Sequence, residues 1–109
     1  MIVGSAVGSV GLPGDTAYAS VKAAAVGFAR SLAKELAPNG VRVNVLAPGF
    51  VDTDMASAVP DASRRRIADA TPLGRFGTVE EIARAAVFLS EDATFCTGAV
   101  LAADGGWTP

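Results

Sequence analysis

Tyr18 and Lys22 stand four residues apart in the run SAVGSVGLPGDTAYASVK, residues 5–22. On a helix that spacing sets both side chains on one face and within reach of each other. An isolated phenol, with a pKa of about 10, exchanges protons poorly at neutral pH, and a cation a few ångströms away favours its phenolate. The pair has the composition of an acid/base unit, although the same couple also arises by chance on ordinary helix surfaces. Ser5 lies at the carboxyl end of a predicted parallel strand, where open α/β sheets place their ligands. A hydroxyl there can hydrogen-bond a substrate carbonyl while Tyr18 gives or takes the proton; the bland alternative is a strand-end serine bonded to backbone. Pro48-Gly49 ends the next strand and is followed by the Thr53 hydroxyl, so a second strand end converges on the same crevice.

The elements that must position these groups can be read from pattern. Residues 1–4 are a short apolar run ending in small residues, as a buried parallel strand ends. Gly8, Gly11, Pro13 and Gly14 predict a loop without regular structure. Residues 16–37 are rich in helix formers, with Asp15 or Thr16 placed to cap the first turn and Asn39-Gly40 placed to end it. Val26, Phe28, Leu32, Leu36 and the alanines would supply its packing face. Residues 41–47 (VRVNVLA) alternate β-branched residues and stop at Pro48, a second strand. A long excursion, residues 52–76, holds a turn at 52–58, a short helix at 61–70 and the PLGRFG segment; a span of this length is usually functional or mobile. Thr78 and Glu81 have capping-box spacing and open a helix to about residue 90. Residues 100–103 form a last short strand. Strands alternating with helices argue for a parallel α/β sheet covered by helices, in a single domain over residues 1–109.

Composition narrows the function classes. Half of the residues are apolar and only 18% are charged, a heavy apolar load for so small a surface. The net charge of -2 offers no basic face for phosphates, which argues against nucleic acid as a partner. Arg64-Arg65-Arg66 is the one basic run, either a solvated helix face or a lid or anion contact. Absence of histidine removes His-based triads and the commonest metal ligand. Cys96 is alone, so it forms no intramolecular disulfide or thiolate cluster; it reads as a small buried hydrophobe and fits a reducing cytoplasm. No metal site and no membrane span are expected.

The run from Ser5 to Lys22, with Tyr18 thirteen positions after the serine and Lys22 four after the tyrosine, resembles the active-site segment of the short-chain dehydrogenases/reductases. The resemblance continues through VRVNVLAPGFVDTDM, PLGRFGTVEEIARAAVFLS and TGAVLAADGG, and so covers essentially the whole chain. The nearest subgroup is the reductases similar to 3-oxoacyl-acyl-carrier-protein reductase. The resemblance implies the C-terminal half of a Rossmann-like doubly wound parallel sheet, with three strands and about three helices. It implies Tyr18 as general acid/base, Lys22 lowering the tyrosine pKa and holding the nicotinamide ribose, and Ser5 orienting a carbonyl. Pro48, Gly49, Val51 and Thr53 would line the nicotinamide side of NAD or NADP, the subgroup favouring NADP. The excursion would be a mobile substrate lid, and Asp104-Gly105-Gly106 a closing motif near the crevice and a subunit interface. The substrate would be a small carbonyl or alcohol, the intact fold a homo-oligomer, dimer or tetramer, in the cytoplasm.

Three departures shape the expectation. The family's glycine-rich turn for the cofactor pyrophosphate, its first four strands and its catalytic asparagine have no counterpart in these residues. The chain is therefore expected to lack the N-terminal dinucleotide-binding half, to expose an apolar edge strand that invites pairing, and to show little activity alone. Asn39 stands where members acting on acyl-carrier protein tend to carry a basic residue. The last strand, Leu101-Ala102-Ala103, is less β-branched than usual. The competing reading is a non-catalytic remnant serving as an interaction or oligomerisation module through its alanine-rich helix.

Overall fold

Three short parallel strands form one sheet in the order β1-β2-β3: β1 is Ile2–Val3, β2 Val45–Pro48 and β3 Val100–Ala103. A computed structural model describes all 109 residues. Ile2 pairs with Val45 and Val3 with Leu46; on the other side β2 runs in register with β3 from Val45 opposite Val100 to Pro48 opposite Ala103. The central strand is buried on both faces, as a near-continuous apolar run predicts. Successive strand side chains point to opposite faces, and the two largest fully buried ones, Val45 and Leu46, divide the helices between them. Val45 packs with Ala29 and Ala33 of the long helix α2 (Thr16–Leu36), and Leu32, Leu36 and Ile2 close this cluster. Leu46 faces Ile82, Ala83 and Ala86 of α5 (Val79–Val87) across a cleft of about 370 Å³.

The element order and the three-strand parallel α/β architecture agree with the sequence reading, and five helices are present rather than about three. The additional two are single turns. One, α1 (Val7–Val10), occupies part of the stretch expected to be irregular; Gly8 allows it, because a Cβ there would come within 2.7 Å of the Lys22 carbonyl carbon. Removing one side chain lets α1 lie directly on the backbone of α2. The other, α3 (Asp54–Ser57), falls in the predicted turn and is capped by the Thr53 hydroxyl, which accepts from Ala56 N at 3.3 Å. The helix at residues 61–70 is α4 (Asp61–Ala70).

Other details differ from expectation for identifiable reasons. Asp15 precedes α2 but makes no side-chain cap bond. Phe28 is 61% exposed, because small alanines, which let the helix approach the sheet closely, form the buried stripe instead. Past α2 the chain tightens into a 3-10 turn, Ala37–Asn39, and Gly40 ends it in the left-handed region at φ 72°, as Asn39-Gly40 predicts. Residues 41–44 lead into β2 rather than belonging to it. There Asn44 is buried and bonded at both ends of its amide: its Nδ2 donates to the Cys96 carbonyl at 2.8 Å and its Oδ1 accepts from Ala99 N at 3.0 Å. Arg42 donates to the carbonyls of Leu89, Ser90 and Ala93, a cation on the last carbonyls of the π-turn Phe88–Asp92 that extends α5. Cys96 is half-buried rather than fully enclosed. The Thr78–Glu81 capping box is complete. No helix is long and apolar enough to cross a membrane.

Candidate active site

Parallel strands point all their carboxyl ends to one edge of the sheet, and the predicted site residues gather there. The pairing of β1 with β2 continues past the strand, with Gly4 N donating to Leu46 O at 2.7 Å and Ala6 N to Pro48 O at 2.9 Å; this fixes Ser5 at the sheet's rim. Its Oγ accepts from Val7 N at 3.2 Å, which is the backbone role foreseen as the alternative, and leaves the hydroxyl proton to donate elsewhere. Tyr18 sits in the first turn of α2, half exposed. Lys22 lies one turn on, with Nζ 5.5 Å from the centre of the Tyr18 ring and donating to the Val3 carbonyl at 3.0 Å. The lysine thus ties α2 to the end of β1.

From the neighbouring strand, Gly49 N donates to Ala103 O at 3.1 Å. A Cβ on Gly49 would stand 2.7 Å from the Asp104 Cα, so the ends of β2 and β3 meet backbone to backbone. Ser5, Tyr18, Pro48, Gly49, Val51 and Thr53 all line one cavity of about 340 Å³. Lys22 is the predicted site residue that does not line it. A larger cavity of about 480 Å³ lies beyond Phe50, lined by Arg75, Glu81 and Asp104. It holds neither Ser5 nor Tyr18, and its Arg75 and Glu81 are already paired at 2.6 Å, so the smaller cavity is the candidate for chemistry. The hydrogen bond from Arg75, then the Thr78 backbone N–H, holds the Glu81 carboxyl down from 4.5 to about 2, and the same pairing raises Arg75.

A family model described as enoyl-(acyl carrier protein) reductase matches residues 1–108. The chain belongs to the short-chain dehydrogenase/reductase family. It is 49% identical over 105 residues to a 3-oxoacyl-[acyl-carrier-protein] reductase of Haemophilus influenzae, covering 95% of this chain and 43% of that protein. A reductase of the same name from Chlamydia trachomatis is 47% identical over the same share of this chain and 42% of its own. Among solved structures, the 3-oxoacyl-[acyl-carrier protein] reductase from Brucella melitensis superposes with a TM-score of 0.93 at 33% identity, over 98% of this chain and 41% of that one. The chain spans less than half of the length of the curated relatives that it matches.

Two features of this short-chain dehydrogenase/reductase segment escaped the sequence reading. The excursion is closed at its base, where Val51 bridges Gly77 and Asp52 N donates to Gly77 O at 2.8 Å. Inside it Arg64 donates to Asp52 Oδ1 and to the Ala56 carbonyl, both at 2.9 Å, and lies 4.6 Å from the Phe76 ring centre. The first arginine of the basic run is therefore a clamp within the excursion, while Arg65 and Arg66 are exposed. The second feature is Trp107, which lines the cavity with Leu12, Asp15 and Met55. The rule that strand ends converge applies to β3 as much as to β1 and β2, and would have found it.

Proposed function

We propose that this chain supplies the carbonyl-reducing end of an NAD(P)-dependent short-chain oxidoreductase. The observation that carries the reading is that Ser5, Tyr18 and Thr53, from three separate elements, line one cavity at the carboxyl edge of the sheet. Tyr18 would hold and deliver the proton at its phenolic oxygen, and Ser5 would donate its free hydroxyl proton to the same substrate oxygen. Lys22, whose ammonium has three donors and gives one to Val3, would orient Tyr18 and take a cofactor ribose.

The residues present fit the nicotinamide end of such a cofactor. Pro48 and Gly49 offer a close backbone approach at the strand end, and Val51 and Thr53 offer a backbone and a hydroxyl to a neutral ring and carboxamide. When bound, the dinucleotide supplies the hydride. Its pyrophosphate and adenosine would be held outside these 109 residues, so that the chain by itself turns over poorly. NADP is the favoured form, a 3-oxoacyl group or other small carbonyl or alcohol the substrate, a homo-oligomer the working state and the cytoplasm its place. Exposed Val21 and Phe28 on α2 are the surface that such an assembly would cover. The likeness to named reductases over nearly the whole chain favours this reading over a non-catalytic interaction module.

A chimera in which residues 1–109 replace the matching segment of the Haemophilus influenzae reductase tests it. The chimera is expected to oxidise NADPH with a 3-oxoacyl thioester, and Tyr18→Phe to reduce kcat by at least about 100-fold with cofactor binding retained. Turnover unchanged by Tyr18→Phe would remove the tyrosine from the mechanism.

A further inference from the structure

Beyond the reacting centre, the cavity has a wall built from the third strand end. β1 and β3 flank β2, so Ser5 and Tyr18 reach the cavity from one side of the central strand and Trp107 reaches it from the other. Trp107 is fixed in place. Its ring meets Phe50 edge-on, with centres 5.2 Å apart and planes at 77°, and its backbone N–H donates to the Asp104 carbonyl. The following residue is tied down as well, with Thr108 N and Oγ1 donating to Asp104 Oδ2 at 2.9 and 2.6 Å. Burial pushes the Asp104 carboxyl up, but these bonds and that from Gly106 outweigh it and hold the group below its ordinary value, so the anchor is an anion throughout the neutral range. Leu12, Met55 and Val59 continue the apolar wall, and Asp15, one turn before Tyr18, is the ionisable carboxyl in the lining.

We propose that Trp107 is a specificity-determining residue: it limits the length of the group that a substrate carries beside its carbonyl, while Asp15 requires that group to be uncharged. The proposal rests on the carbonyl chemistry assigned above to this cavity. With its backbone held at Asp104, the flat indole cannot swing away from a longer chain without giving up its edge-on packing on Phe50. A carboxylate on the substrate would meet the Asp15 carboxylate, a repulsion that a few ångströms of separation make large enough to decide selectivity.

Trp107 is the sole tryptophan, so its emission reports directly on the cavity. The 109-residue chain is titrated with short and long aliphatic methyl ketones and with keto acids of matched length, and Trp107 fluorescence is read alongside saturation-transfer NMR of the ligand. Short neutral ketones are expected to shift the emission, long ones to bind more weakly, and keto acids to bind about tenfold more weakly than matched ketones. Trp107→Leu and the milder Trp107→Phe, both checked for native circular dichroism and followed by NMR, are expected to admit longer chains in that order. Asp15→Asn is expected to erase most of the difference between ketone and keto acid. A length profile unchanged in a folded Trp107 variant, or emission indifferent to a ketone that NMR finds bound, would overturn the proposal. The readout needs no hydride transfer: a length profile intact in Tyr18→Phe supports the wall, whereas failed turnover of the chimera counts against the acid/base assignment alone.

Discussion

Replacing Arg64 by alanine is expected to loosen the excursion between residues 52 and 76 while leaving the sheet intact. The magnitude follows from three contacts. The bond to the Ala56 carbonyl at 2.9 Å contributes about 1 kcal/mol. The pair with Asp52 joins side chains that are 27% and 63% exposed, so solvent screening holds it to about 0.5 kcal/mol. The guanidinium over Phe76 adds about 0.5 kcal/mol at a partly exposed site. Their sum, about 2 kcal/mol, raises the local opening equilibrium by about thirtyfold. Native-state hydrogen exchange reads this directly. Amides bonded inside the excursion, Ser57 N to Thr53 O and Thr71 N to Ile67 O, should lose about thirtyfold in protection, while Val45 N, bonded to Ala99 O in the sheet, should not change. Arg64→Lys keeps a charge but not the fork that serves two acceptors at once, and should give an intermediate loss. Unchanged protection in Arg64→Ala would show that the clamp contributes nothing. An equal loss at Val45 would show that Arg64 supports the whole chain rather than the excursion.

Gly8→Ala places a Cβ 2.7 Å from the Lys22 carbonyl carbon, and because that neighbour is backbone, α1 must move off α2. A loss of about 1–3 kcal/mol is expected, seen as a melting temperature lowered by about 4 °C or more; Gly27→Ala in α2, where a Cβ meets nothing within 4 Å, should instead stabilise slightly. The two substitutions moving the transition in the same direction would contradict the close-approach reading. Glu81 has a folded-state pKa of about 2 against an ordinary 4.5, so its contribution to the amino end of α5 is present above pH 4.5 and is lost as pH falls toward 2. The difference in acid unfolding between the wild type and Glu81→Gln should lie in that window, and coincident profiles would refute it.

Local signals in the sequence were dependable where a few neighbouring residues decide the structure. The Thr78–Glu81 box, the Asn39-Gly40 stop and the span of α4 depend on adjacent side chains, and all three form as the pattern predicts. So did the gathering of Ser5, Tyr18, Pro48, Gly49, Val51 and Thr53, since a parallel sheet sends every strand end to one edge. What the pattern hid depends on distant partners. Phe28 has the character of a core residue, yet the sheet selects Ala29, one position on, and Ala33, one turn beyond that. Arg42 and Asn44 look like strand positions, but residues some fifty positions later in the chain supply their carbonyls. Arg64 sits in a run of three arginines that nothing local distinguishes, and only the return of Asp52 and Phe76 to the same spot selects the first of them.

The arrangement of α2 determines which substitution tests the chemistry cleanly. The buried grip of this helix is at Ala29 and Ala33, in its second half, while Tyr18 stands in its first turn at 49% exposure. Tyr18→Phe therefore removes one oxygen from a half-exposed ring and leaves the core cluster untouched. Surface changes of this kind usually move stability by no more than about 0.5 kcal/mol. A loss of turnover on that substitution can then be assigned to the missing phenolic hydroxyl rather than to unfolding. Lys22 allows no such separation. Its ammonium also holds the Val3 carbonyl at the end of β1, and its backbone is the floor on which Gly8 rests. Truncating Lys22 changes the neighbour of Tyr18 and the tie to β1 together, so the activity of a Lys22 variant measures both. Of the Tyr18–Lys22 pair, the tyrosine alone carries a test of mechanism that stability does not confound.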